Sequence, residues 1–152
     1  MLYNIAYYMN KNKKKILNSL ENTYCRLKPS ATHGVGVFAI RLIPKGQELF
    51  IGIINPTVTY KFEAFELSHL DKAVKKMVED FFTADESGKI INIPIGGVNG
   101  MDISYFLNHS DRPNVKTIDG GSTFVALKTI KKGRELKVNY NTFDCQTKIS
   151  LK

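Results

Sequence analysis

The chain has 152 residues, enough for one domain with a single real core. Hydrophobic residues make up 43% and charged residues 24%, ordinary globular values, and no apolar run reaches the roughly 18–20 residues of a membrane span. Of the formal charge of +8, residues 1–28 hold +5 through Lys11, Lys13, Lys14, Lys15, Arg26 and Lys28 against Glu21, so the rest is only mildly basic.

Residues 2–20 read as a helix of modest quality, interrupted by Asn10, Asn12 and Asn18. Its lysines follow the apolar start, the reverse of a secretory leader. As a basic arm it is a solvated helix face, with contact to nucleic acid or an acidic partner as the alternative. No DNA-reading motif is recognisable in it. From Tyr24 the pattern becomes short and β-rich. Strands are expected at 24–27, 35–40 and 48–54, with Pro44-Lys45-Gly46 as a tight turn before the third. Residues 63–82 read as the one convincing helix, its apolar face marked by Leu67, Leu70, Val74, Met77 and Phe81. Strands follow at 89–95, 123–127 and 135–140, the last two separated by a turn at Lys131-Lys132-Gly133. The domain plan is thus an arm (1–23), a β-dominated domain (24–141) with an inserted helix (62–82), and a tail (142–152). Cys25 and Cys145 are too few for a disulfide framework or a zinc cluster. Reduced thiols and an intracellular setting, cytoplasmic or nuclear by host, are expected, with no membrane partner.

The most informative run is Asn108-His109-Ser110-Asp111-Arg112-Pro113-Asn114. It follows Ile103, Tyr105, Phe106 and Leu107, so two hydrogen-bonding side chains arrive beside the core and must find partners there. Pro113 then stiffens the exit. Earlier, Gly34-Val35-Gly36 leads into a strand, which disfavours a dinucleotide or phosphate loop and favours close backbone approach to a flat or extended ligand. Tyr140 closes the last strand.

Three segments stand in order: Ser30-Ala-Thr-His-Gly34-Val35-Gly36-Val37-Phe38-Ala39, Tyr105-Phe-Leu-Asn108-His109-Ser110 through Asn114, and Gly133-Arg-Glu135-Leu136-Lys-Val-Asn139-Tyr140. Together they resemble the SET-domain protein lysine methyltransferases, over most of the chain, and most closely the small stand-alone viral or microbial type. The resemblance implies a mainly β fold of small curved sheets, β-clip-like, with one inserted helix and a knot-like threading of the last motif under the Asn108–Ser110 loop. It implies S-adenosylmethionine as methyl donor and S-adenosylhomocysteine as product. By the family pattern the backbone of Gly34, Val35 and Gly36 brackets the methionine part of the donor. Asn108 and His109 hold its adenine and ribose end. Tyr140 is the active-site tyrosine, also bordering the donor, and Tyr105 lines the same pocket. The inserted helix helps form the substrate groove. A histone tail or a small DNA-associated protein is the substrate class, which points to chromatin.

The chemistry is demanding without being metal-dependent. Lysine attacks as the neutral amine, whose pKa near 10.4 makes deprotonation at pH 7 cost roughly 4.6 kcal/mol. A narrow aromatic channel and the donor's positive sulfur both disfavour the ammonium. The chain departs from the family pattern at Asp111, where cysteine is frequent, at Asn139, where an acid is frequent, and at Val138, where an aromatic often sets the number of methyls. With Cys145 alone after Tyr140, a zinc-binding closing module is not expected. Residues 141–152 or a second subunit in a homodimer would have to close the lysine channel. The alternative from another class is a non-catalytic SET module binding peptide or nucleic acid.

Overall fold

The computed structural model describes residues 11–51, 59–85, 87–121, 123–142, 149 and 151. In chain order the helices are α1 (Lys11–Glu21) and α2 (Lys72–Phe81). The strands are β1 (Cys25–Pro29), β2 (Val35–Ala39), β3 (Glu48–Leu49), β4 (Thr59–Glu63), β5 (Thr83–Ala84), β6 (Ile90–Pro94), β7 (Asn108–His109), β8 (Val115–Thr117), β9 (Phe124–Ala126) and β10 (Glu135–Val138). The expected class, mainly β with an inserted helix and a helical arm, is the one observed.

Among the described residues, three small sheets carry the fold. The first has the order β1-β2-β10-β7, the second β3-β9-β8 and the third β4-β6-β5. In the first, β10 lies antiparallel to β2, with Leu136 opposite Val37, and parallel to β7, with Lys137 opposite Asn108. All three sequence motifs therefore meet in one sheet. Pro29 is tolerated because β1 is an edge strand. Val37, Leu136, Val138, Val115 and Ile43 are almost wholly buried and fill the core shared by the first two sheets. A second core lies under the third sheet, where Ile91, Val78, Leu67, Phe82 and Ala84 pack with Ile149 and Leu151.

Several elements differ from the sequence expectation. The strand expected at 48–54 stops at Leu49, because Phe50 adopts a left-handed backbone (φ 60) that ends the ladder. Its ring packs edge-on against Phe124, and residues 52–54 lie outside the described ones. The helix expected at 63–82 is shorter. Residues 59–63 form a strand paired with β6, a 3-10 turn follows at Ala64–Leu67, and α2 begins only after Asp71. The Asp71 carboxylate accepts the Ala73 N–H, an N-cap that restarts the helical period. Leu67 and Leu70 therefore do not share a helix face with Val74 and Met77, which are about two-fifths exposed; Val78 is the buried position instead. In the arm, α1 reaches Glu21, Ser19 donates to the Ile51 carbonyl at 3.2 Å, and the expected helical residues 2–10 lie outside the described ones.

Candidate active site

The 3-10 turn Ile103–Phe106 delivers the central motif. Asp102 caps it by accepting the Ser104 N–H at 2.7 Å. Ile103 and Phe106 pack on the first core, while Tyr105 packs on the second. The turn is pinned from both sides, and the next residues, Leu107 and Asn108, are buried.

Among the described residues Asn108 is the buried polar side chain, and its amide is fully used. It donates to the His33 carbonyl at 3.2 Å, the Val35 carbonyl at 3.3 Å and Glu135 Oε1 at 2.9 Å. Two amide hydrogens thus serve three acceptors, two of them carbonyls flanking Gly34. Glu135 Oε1 also accepts the Ser30 hydroxyl at 2.6 Å. Lys137 Nζ stands 3.4 Å from Glu135 Oε2 and bonds the Thr32 hydroxyl. Burial raises the Glu135 carboxyl, but the hydrogen bonds from Ser30 and Asn108 and the charge of Lys137 outweigh it, and the group lies below its ordinary range. A Cβ at Gly36 would sit 2.3 Å from Glu135 Oε1 and 3.1 Å from Asn108 Nδ2, so a side chain there would displace the carboxylate from its place. Gly34 has φ 46 and open space where a side chain would be.

His109, the next residue, reaches the opposite way. Its Nδ1 accepts the Tyr140 N–H at 3.2 Å. A backbone N–H only donates, so Nδ1 is unprotonated and Nε2 carries the hydrogen facing Asp111 Oδ1 at 3.3 Å. The His109 and Tyr140 rings meet edge-to-face at 5.3 Å. Tyr140 is not the end of β10, which stops at Val138; it opens a 3-10 turn, Tyr140–Thr142. Its hydroxyl donates to the Leu107 carbonyl at 2.6 Å.

Of the residues singled out in the sequence, Gly34, Val35, Gly36, Asn108, His109 and Tyr140 are joined by this chain of contacts. Tyr105 turns to the insert, its ring edge-on to Phe82 at 6.2 Å. Burial first, and the charge of Asp102 second, raise its hydroxyl above the usual tyrosine value. Glu135 and Asn114 carry no role in the sequence expectation, yet both are tied into the site. Asn114 brackets β10, donating to the Glu135 carbonyl and accepting the Lys137 N–H, both at 2.8 Å. The signal for both lay inside the quoted motifs, but only the register of β7 against β10 gives them their partners.

A family model described as the SET domain matches residues 34–141. Among solved structures, the apo Polycomb Repressive Complex 2 of Chaetomium thermophilum with two mutations in Ezh2 is similar at 20% identity with a TM-score of 0.54, covering 82% of this chain and 16% of that one. The same complex in an autoinhibited conformation bound to S-adenosylmethionine is similar at 21% identity with a TM-score of 0.49, covering 80% and 16%. The Neurospora SET domain protein DIM-5, a histone lysine methyltransferase, is similar at 16% identity with a TM-score of 0.49, covering 81% and 55%. The chain thus spans less than a fifth of the Polycomb chains it matches. No protein with a curated description matches it. With its three motifs in one sheet and a family match over more than two thirds of its length, the chain belongs to the SET domain family.

Proposed function

We propose that this chain is an S-adenosylmethionine-dependent protein-lysine N-methyltransferase. One observation carries the reading: two successive residues of β7 hold two parts of a site in register, Asn108 the Gly34–Gly36 loop and His109 the backbone of Tyr140. The loop suits the methionine end of such a donor. Residues 31–35 are exposed, and nothing lies within 4 Å of the place a Gly34 Cβ would take, so the main chain is open to a ligand. His109 lies half-buried on the far side of Asn108, where the adenine and ribose end would rest. When bound, S-adenosylmethionine supplies the methyl group and a positive sulfonium.

The chain's own residues then orient and desolvate the amine. The Tyr140 hydroxyl and the Leu107 carbonyl form a polar end that aligns the attacking nitrogen, a positioning effect. Tyr105, its hydroxyl kept neutral and its ring seated edge-on against the core residue Phe82, borders the substrate side in this reading. The apolar ring surfaces disfavour an ammonium and lower the cost of roughly 4.6 kcal/mol for neutral lysine at pH 7. The substrate in this reading is a lysine on a basic intracellular protein tail, a histone or a small DNA-associated protein. A second copy of the chain is the candidate for closing the lysine channel, and the basic arm for a nucleic-acid contact.

The test is transfer of labelled methyl from S-adenosylmethionine to histone and basic-protein substrates by wild type and Tyr140→Phe. Near-complete loss in the variant, with S-adenosylhomocysteine binding and melting temperature kept, is expected. Full transfer by Tyr140→Phe would remove the role given to that hydroxyl. A wild type that neither transfers methyl nor binds the donor would favour a non-catalytic binding module.

A further inference from the structure

We infer that Glu135 is the positioning residue of the donor-binding loop: its carboxylate, seated over Gly36, clamps residues 30–36 onto β10 and β7 in the conformation that receives the methyl donor. The inference rests on the donor-binding reading above and assigns the loop's order to a named group.

Four donors from three elements converge on this one carboxylate. Ser30 donates at 2.6 Å and Asn108 at 2.9 Å to Oε1. Thr32 lies 3.5 Å from Oε2, and the Lys137 ammonium 3.4 Å from the same oxygen while bonding the Thr32 hydroxyl. The Glu135 side chain is only 12% exposed, so these bonds act in a partly dry setting where charge-assisted pairs are strong. The carboxylate occupies the slot a side chain at position 36 would fill, with 2.3 Å between Oε1 and an added Cβ. Glycine at 36 and glutamate at 135 are therefore two halves of one fitting.

The loop has little else to fix it from within. Ser30 N–H donates to the Gly34 carbonyl at 2.9 Å, and Thr32 N–H to the Ser30 hydroxyl at 2.9 Å. Both close the loop on itself. Beyond the pairing of Val35 and Gly36 with β1, side-chain attachment to the body of the fold runs through the Glu135 carboxylate, through the Asn108 amide, which that same carboxylate helps to orient, and through Lys137 on the Thr32 hydroxyl. A loop ordered before the ligand arrives spares binding the cost of ordering it. Loosening the clamp should therefore act on donor affinity, leaving the rate at saturating donor and the global fold nearly untouched.

The experiment uses the full chain as wild type, Ser30→Ala, Ser30→Thr and Glu135→Gln. Amide hydrogen exchange of residues 31–36 is read without ligand, and S-adenosylhomocysteine affinity by calorimetry. Ser30→Ala and Glu135→Gln should exchange faster in this loop and raise the Kd roughly ten- to a hundredfold. Ser30→Thr, which keeps the hydroxyl, should restore both. Should Glu135→Gln fail to fold, Ser30→Ala decides alone, since it removes one hydroxyl and leaves the carboxylate in place. Unchanged exchange and affinity in Ser30→Ala would overturn the clamp, as would a loss that Ser30→Thr does not recover. Faster exchange in the variants with a wild type that binds no S-adenosylhomocysteine would sustain the clamp and overturn the proposed function instead.

Discussion

In the motif-bearing sheet, side-chain hydrogen bonds join residues far apart in sequence: Ser30 to Glu135, Asn108 to the His33 and Val35 carbonyls, Tyr140 to the Leu107 carbonyl. In the insert between β4 and β6 they are mostly local: Glu66 to the Glu63 N–H, Asp71 to the Ala73 N–H, Asp85 to the Ile90 N–H, with Glu79 reaching the Leu151 N–H as the long-range exception. The insert is held by apolar packing around Ile91, Val78 and Phe82. Packing tolerates exchange of one apolar shape for another, whereas a polar network fails when one partner is lost. The first region is thus fixed by identity and the second by hydrophobicity, so an apolar exchange in the insert should disturb the donor loop less than loss of one partner in the polar network.

Cutting each core tests that contrast most strongly. Leu136 and Ile91 are both fully buried, so Leu136→Ala and Ile91→Ala should each cost roughly 2–5 kcal/mol in chemical denaturation. The difference should appear in function: the folded fraction of Ile91→Ala keeps wild-type S-adenosylhomocysteine affinity, and that of Leu136→Ala does not. Equal loss of affinity in both would erase the distinction. Asn114→Ala sharpens it at a smaller scale, leaving the Glu135 carbonyl and Lys137 N–H without their 2.8 Å partners. That should cost roughly 1–3 kcal/mol by the same denaturation measurement, against a small fraction of a kcal/mol for an exposed substitution in the insert.

The smallest effect is in pH. The folded Glu135 carboxyl lies below its unfolded value, so the unfolded state binds more protons in the acid range and stability rises with pH there. Its contribution is complete above the ordinary carboxylate range near 4.3 and fades as pH falls through the folded value. The stability gap between wild type and Glu135→Gln should therefore narrow on acidification below about pH 4. A gap that stays constant there would mean that the charge of Glu135 adds nothing.

Much of this was legible in the sequence because it is local. Strand β2 announces itself by a short apolar run, β10 by alternation of apolar and charged residues, and the glycines and the Asn108-His109 pair by residue type. The parts that were not legible depend on partners elsewhere in the chain. Strand β4 reads Thr-Tyr-Lys-Phe-Glu, too polar to stand out, and becomes a strand by pairing with β6. Strand β7 is two residues long and exists because β10 lies beside it. The break at Asp71 interrupts an apolar period that, taken alone, looks continuous. Glu135 and Ser30 are 105 residues apart, and no periodicity relates them.

Native mass spectrometry of wild type and Asn108→Ala with S-adenosylhomocysteine bears most directly on the claim that the loop, Asn108 and His109 form a methyl-donor site. One ligand per chain in wild type, weakened by roughly tenfold or more in the variant that loses the buried amide, is the predicted result. Absence of binding by wild type, or equal binding by both chains, would contradict it.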